Sequence, residues 1–276
     1  MIPIKNRTKI SAAMLLLASS FASNATVVEI RTSLGNIQVN LFDETTPKTV
    51  ENFLSYVNSG AYASNVVHRS VPGFVIQAGG FSYTGPVEAE NGFTLDSVET
   101  GDSVMNEPKL SNVRGTIAMA KGSDPDSARS QWFINLADNA NSLDRVTNAG
   151  GFTVFGQVLG DGMDVADDIA SQTIIQYGSP FAQVPIRNYT QSDVDNQVAV
   201  TDDNLIVISD IVVIDETVVT HPEIVPTENT LIDAPTSGGG TDNGGSGGGA
   251  FGWLIGVAAL GLSRYFKPQK LSLMKM

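Results

Sequence analysis

The chain has 276 residues, 42% of them hydrophobic, and no cysteine. That length holds one ordinary domain with tails around a packed core, and the missing thiols exclude a disulfide framework, thiolate metal sites and cysteine nucleophiles. The formal charge is −13; setting aside seven of the 16 cations, which sit in residues 1–25 and 250–276, leaves 9 against 29 acids, a net −20 that repels nucleic acid and anionic lipid.

Residues 1–25 read as a secretory signal peptide. Lys5, Arg7 and Lys9 make a positive start, an apolar run follows from Ala12 to Ala18, and Ser23-Asn24-Ala25 offers small residues before a cut. Thr26–Leu41 alternates as a strand pair about the turn Ser33-Leu34-Gly35-Asn36. Thr46 can cap a helix that opens on Pro47. Val50, Phe53, Leu54 and Val57 then share one helical face, and Gly60 ends it.

Next comes Val67-His68-Arg69-Ser70-Val71-Pro72-Gly73-Phe74-Val75-Ile76-Gln77-Ala78-Gly79-Gly80, strand-like in its alternation. Pro72-Gly73 marks a break or bulge. Beyond it, Phe74 and Ile76 are expected on one face, Val75 and Gln77 on the other. A guanidinium beside an apolar wall suits a ligand both oily and carbonyl-rich, such as a prolyl peptide.

Further strands are expected at Gly115–Ala120, Trp132–Leu136 and Thr153–Val158, then a short helix over Met163–Ala170 that buries Val165 and Ile169. Residues 171–204 are polar and turn-rich. Asn204–Asp215, dense in Ile and Val, is expected to pair beside the first strand. Residues 216–249 read as a linker, first acidic with prolines, then glycine-rich. Gly244-Gly245-Ser246-Gly247-Gly248 matches the serine-hydrolase elbow in letters only, since that motif needs a strand before it and a helix after it and here it lies inside a run of glycines. Residues 250–276 hold a short apolar segment with a basic end. This tail resembles bacterial glycine-glycine sorting signals; a permanent membrane anchor is the other reading.

Three blocks carry a wider resemblance. They are the run from Val67 to Gly80; Arg114-Gly115-Thr116-Ile117-Ala118-Met119-Ala120 with Ser130-Gln131-Trp132-Phe133-Ile134-Asn135; and Phe152-Thr153-Val154-Phe155-Gly156-Gln157-Val158 with Gly162-Met163-Asp164-Val165. In this order they resemble the cyclophilins, the peptidyl-prolyl isomerases. The resemblance covers residues 26–215 and implies a mainly β fold: a closed eight-stranded antiparallel barrel capped by two α-helices. Together with the signal-like start and the tail, this reads as an exported monomer, in the periplasm or at the cell surface, that speeds folding of proline-containing polypeptides and touches membrane only through its tail. A binding module that holds prolyl segments with little turnover is the alternative.

The chemistry needs no nucleophile. Resonance sets a barrier of roughly 18–20 kcal/mol to peptide rotation. A pocket that grips the proline ring, and a donor aimed at the nitrogen as it loses conjugation, lower that barrier. Arg69 is the expected donor, and the resemblance assigns Gln77 to orient it. Phe74, Phe133 and Leu143 match the proline pocket, with Met119 as a further wall residue and Phe152 at its rim. Gln131 matches a residue that binds substrate backbone, and Ala120, Lys121 and Gly122 match the edge that pairs with the peptide. His68 is read as structural, because the reaction moves no proton. No metal or cofactor is expected: two distant histidines make no site, and Asp124, Asp126, Asp202 and Asp203 lack calcium-loop spacing.

Several positions depart from the family pattern. Val67 and Val75 replace the usual Phe and Met, Ser142 stands where many eukaryotic members carry a Trp linked to cyclosporin binding, and Phe152 stands where they have His. Weak cyclosporin sensitivity with retained isomerase activity is the expected outcome of an inhibition titration; nanomolar inhibition would contradict it.

Overall fold

The strand β1 (Val27–Thr32) runs into β2 (Gly35–Leu41) through a tight turn, and the two pair antiparallel from Val27 opposite Asn40 to Thr32 opposite Gly35. In this computed structural model, which describes residues 26–86, 93–216, 221, 223–234 and 264–265, the helix α1 (Pro47–Asn58) follows. Then come β3 (Asn65–Val66), β4 (Arg69–Val71), β5 (Val75–Ala78), β6 (Phe81–Pro86), β7 (Phe93–Ser97), β8 (Thr116–Met119) and β9 (Trp132–Asn135). After the short helix α2 (Ala140–Leu143) come β10 (Val154–Val158), α3 (Gly162–Ser171), β11 (Thr173–Ile175), β12 (Val184–Ile186), the short α4 (Gln191–Asp195), β13 (Val207–Asp215) and β14 (Arg264–Tyr265).

The fold is mainly β with few helices. One sheet takes the order β14-β7-β6-β3-β13-β1-β2-β10-β8-β9-β5-β4, and β11 and β12 form a separate hairpin. This order counts twelve strands where the sequence analysis expects eight. The strand after Asn204 does lie beside β1, with Val28 opposite Val213 and Ile30 opposite Ile211. The period-two pattern explains the core: Val28, Ile30, Ile37, Val39 and Leu41 are buried from the first hairpin, joined by Ile117, Ile134 and Ile208. Phe53 of α1 packs its ring 5.0 Å from Phe155 and 5.5 Å from Tyr62. Each such side chain contributes roughly 1.5–3 kcal/mol relative to exposure.

The break at Pro72-Gly73 is a reversal. Phe74 N donates to Val71 O (2.9 Å), Gly73 takes φ +71°, and β4 and β5 fold back as a hairpin. Val75 and Ile76 do bury in opposite clusters, but Phe74, sitting in the turn, packs with Val75 rather than Ile76. In α3 the buried residues are Gly162, Ala166 and Ile169, with Val165 only partly covered. Residues 171–204 hold more order than their polarity announces. Ile175, Phe181, Val184, Ile186, Tyr189 and Leu205 form a second core with Val66, Phe93 and Leu95. Residues 223–234, within the expected linker, also lie against the domain: Ser111 N donates to Thr227 O (2.8 Å) and Asn229 N to Lys109 O (2.9 Å). Among the described residues no helix is long and apolar enough to cross a membrane; the signal-like residues 1–25 and the apolar stretch 250–263 lie outside them.

Capping of α1 is also unexpected. Thr46 makes no cap; its hydroxyl donates back to Phe42 O (3.4 Å). Glu107, distant in sequence and buried, takes over: its Oε2 accepts from Thr49 N (3.0 Å) and Thr49 Oγ1 (2.9 Å). A carboxylate there satisfies an orphan amide and complements the helix dipole. Glu107→Ala is therefore expected to lower stability by about 1–3 kcal/mol, read as a lower urea midpoint at unchanged slope, with Glu107→Gln costing less.

Candidate active site

Register aligns the site. Arg69 lies opposite Gln77 across β4–β5, and Gln77 opposite Phe133 across β5–β9. Phe133 then lies opposite Ala118, and Ala118 opposite Val154. Residues directly opposite point to the same face. A half-buried cation, an amide and an apolar floor therefore stand in one row over five strands.

The polar part of the row is ordered by donor logic. Arg69 Nη1 donates to Gln77 Oε1 (3.4 Å), and Gln77 Nε2 donates to Gln131 Oε1 (2.8 Å). A guanidinium can only donate, so Gln77 must turn its oxygen to Arg69 and its nitrogen to Gln131. Burial pulls the Arg69 pKa below its ordinary value, yet an arginine keeps its charge in proteins. Among the described residues no carboxylate forms an ion pair with it. Space for Gln131 comes from Gly80, where a Cβ would stand 2.8 Å from Gln131 Cδ.

The apolar part is a cluster of Phe42, Val75, Leu110, Ala118, Ala120, Phe133, Leu143, Phe152 and Val154, with Phe74 packed against it. Phe133 and Phe152 meet edge to face at 6.1 Å. So Phe74, Phe133, Leu143 and Phe152 come together as the sequence analysis expects. Met119 does not. The two-residue period of β8 sends it to the main core with Ile117 and Trp132, while Ala118 and Ala120 face the site. The amides of Ala120 and Gly122 donate to Gln131 O and Ser127 Oγ (both 2.9 Å). Between them, Lys121 sends Nζ over the Phe152 ring at 4.9 Å and to Ala149 O. Burial lowers this ammonium to about 8, against the pull of Asp126 and Asp124.

Beneath the cluster is a buried polar network that the sequence analysis misses. Asn139 Nδ2 donates to Phe74 O (2.9 Å) and Asn135 Oδ1 (2.8 Å), and Leu143 N donates to Asn139 O (2.9 Å). Asn135 Nδ2 donates to Asn112 Oδ1 (3.1 Å), and Asn112 Nδ2 to Phe152 O (3.0 Å) and Asp144 Oδ1 (2.9 Å). The network thus fixes the backbone of three cluster residues: Phe74, Leu143 and Phe152. The available signal was Asn135 closing an apolar strand, since a polar group there needs partners. The sequence also gives no sign of Gln183, whose carbonyl accepts from Ser70 N (2.8 Å) and so brings the β11–β12 hairpin beside Arg69. Among the described residues no group of three or more His, Asp or Glu side chains could hold a metal ion.

His68 is 2% exposed, and its ring meets Phe81 edge-on at 5.0 Å. Burial, and secondarily the charge of Arg69, lowers its pKa to about 4. The imidazole is neutral at neutral pH, in keeping with a structural part. The unfolded chain binds this proton more tightly than the folded one. Stability is therefore complete above the ordinary value near 6.5 and falls as pH drops towards 4, by on the order of 3 kcal/mol. Urea unfolding at pH 7 and pH 4.5 should show that loss, and His68→Gln should flatten it.

Comparison with known proteins gives the same direction. Residues 27–191 match the family described as cyclophilin type peptidyl-prolyl cis-trans isomerase/CLD. Peptidyl-prolyl cis-trans isomerase A of Dickeya dadantii (strain 3937) is 44% identical over 164 residues, 59% of this chain and 80% of that protein. Peptidyl-prolyl cis-trans isomerase B of Escherichia coli (strain K12) is 40% identical over 147 residues, 52% of this chain and 83% of its own. A solved cyclophilin type isomerase of Cryptosporidium parvum, crystallised in the presence of the dipeptide Ala-Pro, covers 68% of this chain and 99% of its own at 24% identity, with a TM-score of 0.47. The matched region contains the Arg69 row and the apolar cluster, and on that footing the chain belongs to the cyclophilin type peptidyl-prolyl cis-trans isomerase family and is an enzyme of that kind.

Proposed function

We propose that Arg69 carries the catalysis and that the substrate is a proline-containing polypeptide. The proline ring sits against Phe74, Phe133, Leu143 and Phe152. The guanidinium donates to the prolyl nitrogen as it becomes pyramidal, a stage at which the nitrogen regains its lone pair. Planar cis and trans amides offer no such acceptor, so the interaction favours the twisted state alone. Gln77 holds the guanidinium, Gln131 holds Gln77, and the backbone at Lys121 offers an edge for the peptide. The observation that supports this most is the row in which a desolvated cation without a carboxylate partner stands in register with Phe133. Low local dielectric makes such a donor count for more than it would in water.

Two broader parts of the reading go with it. We read the sheet as closed into a barrel, a reading supported by the segment that holds β3 and β4: it meets β13 at Val66 opposite Val207 and β5 at Arg69 opposite Gln77. The enzyme is exported as a monomer and assists folding outside the cytoplasm, consistent with its signal-like start and acidic composition.

Isomerisation of a short prolyl peptide tests the assignment. Arg69→Ala should lower kcat/KM by about 100-fold, the scale of one lost transition-state donor. Gly80→Ala, which pushes Gln131 off Gln77, should lower it by about tenfold at a nearly unchanged melting temperature. Equal rates for wild type and Arg69→Ala would refute the mechanism.

A further inference from the structure

The segment 223–234 lies beyond the matched family region and outside the site described above. It nevertheless touches the loop that carries two walls of the pocket. Residues 144–151 leave Leu143 and return to Phe152, and the loop closes where Phe152 N donates to Leu143 O (2.8 Å). From one side the loop is held by Asn106, whose Nδ2 donates to Gly150 O (2.8 Å) and Gly151 O (3.0 Å). From the other side it is held by Asn229.

Asn229 is 8% exposed and fully engaged. Its Nδ2 donates to Asp144 O (3.0 Å) and Pro108 O (3.1 Å), while its Oδ1 accepts from Leu231 N (2.9 Å) and Ile232 N (3.1 Å). Its two halves therefore do different work: the oxygen shapes the tail's own turn, and the nitrogen ties the tail to the pocket loop. Ile232 fills the bare side of Gly151, where a Cβ would stand 3.1 Å from Ile232 Cδ1. Five residues before Asn229, Ile224 packs against the same apolar cluster as Phe74. Backbone pairing of Thr227 and Asn229 with Ser111 and Lys109 sets the register of these contacts.

We propose that residues 223–234 form a strap that positions the prolyl pocket, with Asn229 as its positioning residue. The strap holds Asp144 from outside, and so fixes Leu143 and Phe152 against Phe133. Its bonds to the domain at Pro108, Lys109, Ser111 and Asp144 reach neither Arg69 nor Gln77. It acts on how tightly the proline ring is gripped and leaves the donor that eases rotation alone. The inference rests on the pocket assignment under Proposed function.

Two variants of the full chain separate the halves of Asn229. Asn229→Asp keeps the oxygen that shapes the turn and loses the two donors to Asp144 O and Pro108 O; Asn229→Ala loses both. With a proline-containing tetrapeptide as probe, both variants should weaken Kd and raise KM by about fivefold, the scale of a lost hydrogen bond, with kcat within about twofold of wild type. Amide exchange at Phe152 should quicken in both. Unchanged Kd and KM in Asn229→Asp would overturn the strap, and so would a fall in kcat that tracks the melting temperature, which marks a general loss of structure. Arg69→Ala serves as the separate control. If it turns over like wild type, the catalytic reading falls, while the Kd of the Asn229 variants still judges the strap. A wild type that does not bind the tetrapeptide sinks the pocket and the strap together.

Discussion

Three asparagines and an aspartate, none more than 7% exposed, bind one another beneath the apolar cluster. The rest of the site depends on this arrangement. Aromatic and aliphatic side chains attract without direction, so by themselves they would collapse to the tightest packing. Amides and carboxylates deep in a protein behave otherwise: each lone pair and proton has one place to go, and leaving it unmade costs heavily. Asn139 donates to Phe74 O and accepts from Leu143 N, Asn112 donates to Phe152 O, and Asn135 and Asp144 hold those two in place. The backbone that carries the cluster is thereby fixed by polar groups that a hydrophobic core alone would not need.

The second requirement is electrostatic. In the mechanism proposed above, the cation must be partly dry and must not be consumed by a carboxylate. In a chain where acids outnumber bases by 29 to 16, that takes selective placement. Arg69 meets it by lying in a hairpin whose cross-strand neighbour is an amide. Gln77 accepts from the guanidinium without neutralising it, and Gln131 keeps Gln77 from turning over. The neighbouring histidine stays uncharged through its own burial and does not compete for the same field.

Much of this was legible in the residues. The run around Arg69, the alternation of the first hairpin, the face of α1 and the final strand all followed from periodicity. The resemblance located Phe74, Phe133, Leu143 and Phe152. What stayed hidden depended on long-range partners. Pro72-Gly73 announces an interruption, but only the pairing of both flanks shows that the chain turns back. Met119 fits a pocket wall by alignment, and strand parity sends it inward. Thr46 has every local mark of a cap, yet a carboxylate far along the chain supplies the function. Residues 171–204 look polar because their few apolar side chains are scattered along the sequence; Phe93 and Leu95 gather them into a core. Proline-rich, acidic composition reads as a tether, and a single asparagine with four correctly placed bonds overrides it.

Residue 234 lies three positions beyond Leu231, whose carbonyl it caps, and hence next to the loop bearing Leu143 and Phe152. Residues 223–234 therefore lie on the same side of the domain as the loop between Leu143 and Phe152. Trimming the chain before residue 223 would accordingly bare Gly151 and leave the Asp144 and Pro108 carbonyls without the Asn229 donor, so a boundary drawn from composition alone cuts into folded structure.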